Sequence, residues 1–287
     1  MISFKEDHIS QIPALLMLEK FGYTYLTPDE ALALRGGNLA NVLLEPVLRK
    51  QLAAINVVQV SSMRTTVFSE QNITAGIDAL RNIPMDEGFM EASQTVYDLL
   101  TSGKTLEQIV DGDRKSFVMQ YIDWKNPRNN VFHVTEEFAV SRTGMTETYR
   151  PDIVLFVNGI PLCVIECKRP DVKDSIEQAI SQHLRNQKAD GIRSLYLYST
   201  LLLAINRQEG SYATTATPEK FWARWREQFA DREAEARYRQ ELERVVNEPL
   251  LDDKLFGERF GYVRRNFEEL YRQPVTPSVQ DLSLIHI

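Results

Sequence analysis

The 287-residue sequence predicts an α/β fold: a mixed central sheet flanked by helices, with a helical extension toward the C-terminal end. Three observations carry this expectation. The first third of the chain places apolar side chains at helical spacing. Two apolar runs, residues 153–157 and 160–167, are separated only by Asn158-Gly159, a strong hairpin signal. A helical stretch at about 173–187 then precedes a further apolar strand within 194–205, the alternation expected when helices cover a sheet.

Along the chain, Ile9, Ile12, Leu15, Leu16 and Leu18 to Phe21 set a first helix, closed by Gly22 at a C-cap position. Tyr23 to Leu26 reads as a short strand. Thr27 caps a second helix, with Pro28 at its first position and Glu30 three residues on, the pattern of a capping box. Residues 39–54 continue the helical spacing through Leu39, Val42, Leu43, Val47, Leu48 and Leu52, and 66–82 and 89–100 are further helical segments. Near residue 116 the character changes. Phe117 to Trp124 is rich in β-formers, Pro127 to Asn130 is turn chemistry, and Val131 to Val140 reads as a strand before the polar loop 142–146. Pro218-Glu219 is expected to open a helix with Phe221, Trp225 and Phe229 on one packing stripe, and the Arg/Glu alternation of 231–246 predicts a solvated helix with i,i+4 pairs.

Composition narrows the function. With 43% hydrophobic and 25% charged residues the chain is neither disordered nor fibrous. Two cysteines make no disulfide framework and point to a reducing compartment. The start is charged where a signal peptide is apolar, and the run Leu201 to Ile205 is far too short to span a membrane, so a cytoplasmic location is expected. A net charge of −7 excludes a protein that simply coats nucleic acid.

The chemistry concentrates in Arg150-Pro151-Asp152 and Glu166-Cys167-Lys168. Hydrolysis of a phosphodiester takes two carboxylates to hold Mg²⁺, and a lysine to orient the attacking water and stabilise developing charge. Glu166 and Lys168 share a face of an extended strand. Asp152 joins them only in the right register. A two-residue turn pairing Val157 with Ile160 sets Asp152 against Ile165, on the wrong face. A three-residue loop, Val157-Asn158-Gly159, pairs Phe156 with Ile160 and sets Asp152 against Val164, on the right one. A bulged hairpin with left-handed Gly159 is therefore expected. Both strands are apolar on both faces, hence central, and charges at the ends of such strands are costly unless paired or metal-bound.

These residues carry a resemblance. Tyr149 to Leu162, followed by Val164-Ile165-Glu166-Cys167-Lys168-Arg169-Pro170, resembles the PD-(D/E)xK nuclease core of type I restriction enzyme R subunits. Ile122-Asp123-Trp124 with Asn126-Pro127 and Asn129-Asn130 is similar to that family's lead-in strand, Leu43 to Asn56 to its N-terminal helix, and Glu6 to Tyr23 to its opening. The resemblance implies a restriction-endonuclease-like domain, over residues 1–215 with a catalytic core at about 116–206. It implies a helical extension, 216–287, leading toward an ATP-dependent translocase not in this chain. The implied activity is Mg²⁺-dependent cutting of unmethylated double-stranded DNA after ATP-driven translocation, in a complex with modification and specificity subunits. Asp152 and Glu166 would bind Mg²⁺, the Cys167 carbonyl would add a ligand, and Lys168 would be catalytic. The family's Gln-x-x-x-Tyr motif is matched at Gln182, with Asn186 where Tyr is common. An acidic residue from an early helix often joins such sites, and Glu6 and Glu45 are both candidates. A non-catalytic binding domain on the same fold and a stand-alone repair nuclease are the alternatives.

Other motifs carry less. Ser102-Gly103-Lys104-Thr105 mimics a phosphate-binding loop, but Asp98 stands where Gly is required. Cys163 and Cys167 have no further ligands to complete a zinc site and read as core thiols. His183 reads as a surface histidine.

Overall fold

The computed structural model describes residues 10–61, 64–248 and 254–256. Glu6, the start and end of the chain, and most of the extension beyond 248 lie outside them. Helix α1 (Ile12–Lys20) is followed by Gly22 at positive φ and by strand β1 (Thr24–Leu26). In α2 (Pro28–Ala33) the Thr27 side chain accepts from the Glu30 N–H while the Glu30 carboxylate accepts from the Thr27 N–H, the expected capping box.

Helix α3 (Glu45–Ile55) starts later than its apolar spacing suggests. The Asn38 and Asn41 side chains accept from the N–H groups of Ala40 and Leu43, which diverts this backbone into turns until Pro46 sets the helix start. After β2 (Val57–Ser61) and β3 (Arg64–Val67) come α4 (Glu70–Arg81) and α5 (Phe89–Ser102). Strands β4 (Lys104–Val110) and β5 (Asp113–Met119) follow. Both hairpins are small separate sheets with mostly exposed faces, so no apolar alternation announced them. Gly103 lies between a helix and a strand, the reverse of a phosphate-binding loop.

The main sheet has seven strands. Its members are β1, β6 (Phe132–Glu136), β9 (Ile153–Val157), β10 (Ile160–Cys167), β11 (Leu201–Ile205), β12 (Gly210–Ala213) and β13 (Ala223–Arg224), in the order β1-β6-β9-β10-β11-β12-β13. A small pair, β7 (Val140–Ser141) and β8 (Thr148–Tyr149), lies in the connection before β9. Strand β1 is parallel to β6 and β10 to β11, while β9 runs against both of its neighbours, so the sheet is mixed.

Helices α6 (Ser175–Asn186) and α7 (Arg193–Tyr196) form the crossover from β10 to β11. They lie on the face that carries Val154, Phe156, Val164 and Leu202, which also packs against α3, α4 and α5. The opposite face, with Ile153, Leu155, Cys163 and Ile165, packs against α1 and α8 (Arg232–Asn247). Burial on both faces is what the two-sided apolar pattern required.

The hairpin corrects one expectation and keeps its consequence. Val157 pairs with Ile160 across a two-residue turn, with Asn158 at φ 53° and Gly159 at φ 83°. A bulge between Pro161 and Cys163 then shifts the register, so that Ile153 faces Ile165. Asp152 is thereby set across from Glu166, not Val164, and still on its face. The turn is two residues long because its surroundings demand it. The Asn158 side chain accepts from the Val131 N–H (2.9 Å) and donates to the Tyr121 backbone carbonyl (2.9 Å) and to the Asn130 side-chain Oδ1 (2.8 Å). A Cβ on Gly159 would stand 2.6 Å from the Leu44 carbonyl oxygen.

Two further readings are corrected. Residues 121–130 form no lead-in strand: the Asp123 carboxylate accepts from the Asn126 N–H and the Asn129 side-chain amide, bracing a single turn at Pro127–Asn129, and Asn130 links that turn to Asn158. The aromatic stripe is not helical either. Glu219–Phe221 is one 3₁₀ turn, Phe221 is 65% exposed, and Ala223–Arg224 adds to the free edge of β12. Edge pairing and the backbone hydrogen bond from Trp225 to Gly210 override the helical spacing. The segment beyond 215 thus continues the main sheet through β13 and covers its second face through α8.

Candidate active site

Asp152, Glu166 and Lys168 meet where β10 and β11 end and β9 begins. Glu166 is fully buried beside Ala204 of β11. The Asp152 carboxylate accepts from the Cys167 N–H at 2.7 Å and lies 3.6 Å from the Lys168 ammonium, which also donates to the Cys167 carbonyl at 2.8 Å. The Lys168 N–H donates to Ile205, extending the β10–β11 ladder to the site. Asp152 is held through its own backbone as well: its carbonyl accepts from the Glu137 N–H (3.0 Å) and from the Gln11 side chain (2.9 Å). Glu137 adopts a left-handed conformation to do this (φ 47°), a local strain of the kind that clusters at functional sites.

The electrostatics are unbalanced at Glu166. Burial first, and then the neighbouring Asp152 charge, push its carboxyl well above the usual range, against the pull of Lys168 and Arg185. Its buried Oε2 accepts from no donor among the described residues, and a hydrogen bond between the Glu166 and Asp152 carboxyls further favours the protonated form. Its Oε1 accepts a long bond, 3.4 Å, from the Asn186 amide. A bound cation at this pair would replace the shared proton and relieve the carboxylate repulsion. The donors on offer are hard oxygens, the two carboxylates and the Cys167 carbonyl. The Cys167 thiol is buried in the core on the opposite face of the sheet. Among the described residues no three His, Cys, Asp or Glu side chains converge on one point, so water or a substrate oxygen would complete the shell.

Helix α6 places the remaining candidates. Gln182 is half-buried one turn before Asn186, and no hydrogen bond ties it to the other three among the described residues. His183 is not a surface residue. It is fully buried, with Nε2 2.9 Å from the Leu203 carbonyl and Nδ1 3.0 Å from the Tyr196 hydroxyl, and burial lowers its pKa to about 4. Arg185 and Arg142 both stack on the Tyr149 ring, at 4.5 and 4.7 Å, beside the Arg150-Pro151-Asp152 segment. Glu45 forms ion pairs with Arg81 and Arg49 at the start of α3, next to Leu44, whose N–H donates to Gly159 at the hairpin turn. Six strand residues, 160–165, roughly 20 Å, separate that turn from Glu166, so Glu45 lies at the wrong end of the hairpin to join the site.

The model of the family described as "Type I restriction enzyme R protein N terminus" matches residues 3–221. The chain belongs to this family. Among relatives of this R-protein N-terminal chain, the "Putative type I restriction enzyme MjaIXP endonuclease subunit" of Methanocaldococcus jannaschii is 27% identical over 228 residues, 77% of this chain and 20% of that one. The "Type I restriction enzyme HindI endonuclease subunit" of Haemophilus influenzae is 28% identical over 206 residues, 69% of this chain and 18% of that one. The chain therefore spans about a fifth of the length of these curated relatives. Among the described residues no helix is long and apolar enough to cross a membrane.

What the sequence did not reveal in this R-protein domain are the supports of the pair: Gln11, Glu137, Asn186 and Tyr196. Asn186 stands four residues after Gln182 and was visible as a departure. Tyr196 carried no signal, because 194–205 reads as strand until α7 turns its first residues into helix.

Proposed function

We propose that this chain is the Mg²⁺-dependent DNA endonuclease domain of a type I restriction enzyme R subunit, on a restriction-endonuclease-like fold whose catalytic core spans about 116–206. Support comes chiefly from the meeting of Asp152, Glu166 and Lys168 on one sheet face. In the whole enzyme the domain works in the cytoplasm with modification and specificity subunits and an ATP-driven translocase, which delivers unmethylated double-stranded DNA. That delivery explains how a chain of net charge −7 acts on DNA without a strongly basic surface.

Mg²⁺ held by Asp152, Glu166 and the Cys167 carbonyl would polarise the scissile phosphate and acidify the attacking water. The chain supplies the rest. Strand pairing fixes Asp152 and Glu166 side by side. Lys168, whose ammonium lies 3.6 Å from the Asp152 carboxylate, would orient water and offset charge on the phosphate. Gln182, on α6 one turn before Asn186, would join the site from that helix.

Calorimetric titration with Mn²⁺ tests the metal assignment. The raised Glu166 pKa contributes stability below the unfolded value of about 4.5, which is lost as pH rises through the folded value. A cation must displace that proton, so binding is expected to release protons and to tighten with rising pH until Glu166 is ionised in the free protein. Glu166→Gln is expected to lose the site. Equal binding by Glu166→Gln and the parent chain would reject it.

A further inference from the structure

We infer that Tyr196 is a positioning residue for the Glu166 carboxylate, acting through Asn186; this rests on Glu166 being a metal ligand. The argument follows the hydrogen atoms. The Leu203 carbonyl can only accept, so His183 donates to it from Nε2 and its Nδ1 is an acceptor. The Tyr196 hydroxyl must then donate its single hydrogen to Nδ1, which leaves its oxygen to accept from Asn186 Nδ2 at 3.4 Å. The second hydrogen of that amide goes to Glu166 Oε1 at 3.4 Å.

The amide cannot be reversed, because its Oδ1 accepts from Arg185 Nε (3.4 Å) and Nη2 (3.2 Å). Every donor and acceptor from Leu203 to Glu166 is thus determined, and His183, Tyr196, Asn186 and Glu166 are all buried. The bonds at Asn186 are long, 3.4 Å each. The arrangement also accounts for Asn at position 186. Its short amide serves the carboxylate and the arginine together, and the phenol comes from α7 instead. With Oε1 held, the buried Oε2, which accepts from no donor among the described residues, is left to a cation.

The test is Mn²⁺ titration of the full chain and of Tyr196→Phe, Asn186→Ala and the double variant, with thermal melting of each. Tyr196→Phe is expected to weaken Mn²⁺ binding about 10-fold, in line with the loss of a residue that orients a ligand. In the Asn186→Ala background it is expected to add nothing, because the effect travels through Asn186. Should Tyr196→Phe not fold, the ¹³Cζ resonance of Tyr196 in the parent chain is expected to shift on Mg²⁺ addition with the same dissociation constant. A lower melting temperature with unchanged Mn²⁺ affinity, or a motionless Tyr196 resonance, would overturn the inference and leave the metal site standing. A parent chain that binds no Mn²⁺ would remove both.

Discussion

Replacing Asp152 by Ala is expected to abolish DNA cleavage by the intact restriction complex, by about 10³-fold or more, while ATP turnover continues. The size follows from what one side chain does. Asp152 faces Glu166 across the strand pair, accepts from the Cys167 N–H, and lies 3.6 Å from Lys168. Its removal takes away one of two carboxylates and the ion-pair partner beside the ammonium together. Lys168→Ala is expected to lose cleavage to a similar degree but to retain Mn²⁺ binding, since a lysine contributes no ligand. Cleavage assays on translocating complexes with unmethylated plasmid check both. Normal cutting by the Asp152→Ala complex would mean that the chemistry resides elsewhere.

Asn158→Ala is expected to destabilise the chain by about 3–5 kcal/mol, a loss reached only where several buried partners are orphaned together. Asn158 is fully buried at positive φ, and its amide satisfies the Val131 N–H, the Tyr121 carbonyl and the Asn130 side chain. Alanine abandons all three and is strained in the left-handed region. Asn158→Gly relieves the strain but not the lost bonds, so it is expected to fall between parent and Asn158→Ala in urea denaturation. A loss below about 1 kcal/mol for Asn158→Ala would show that the turn does not depend on this side chain. The prediction bears on function, because the two-residue turn and the bulge after Pro161 together set Asp152 across from Glu166.

The sheet face shared by Asp152, Glu166 and Lys168 was legible because strand periodicity leaves few choices. The three-residue loop was not the one adopted. Nothing in Asn158-Gly159 itself separates a bulge at the turn from one three residues further on. That choice belongs to Val131, Tyr121, Asn130 and Leu44, which reach the turn only in the folded chain. The capping box at Thr27 and the doubly apolar β9 and β10 were equally readable, since each is a local pattern. The hairpins β2–β3 and β4–β5 escaped notice, apart from the β-rich end of β5 at Phe117 to Met119, because most of their residues are exposed. His183 was misread for a similar reason: its ring is buried by Tyr196 and Leu203, contacts that helical spacing alone cannot anticipate. Asn186 looked like a departure from a motif, and its amide lies 3.4 Å from both Glu166 Oε1 and the hydroxyl of Tyr196, ten residues downstream.

Anomalous diffraction from crystals of the chain soaked in Mn²⁺ tests the central claim most directly. The expected result is a single strong peak between the Asp152 and Glu166 carboxylates, within about 2.0–2.3 Å of an oxygen of each, with Glu166 Oε2 among its ligands. Density for Mn²⁺ elsewhere on the chain, with both carboxylates still metal-free at saturating concentration, would contradict it.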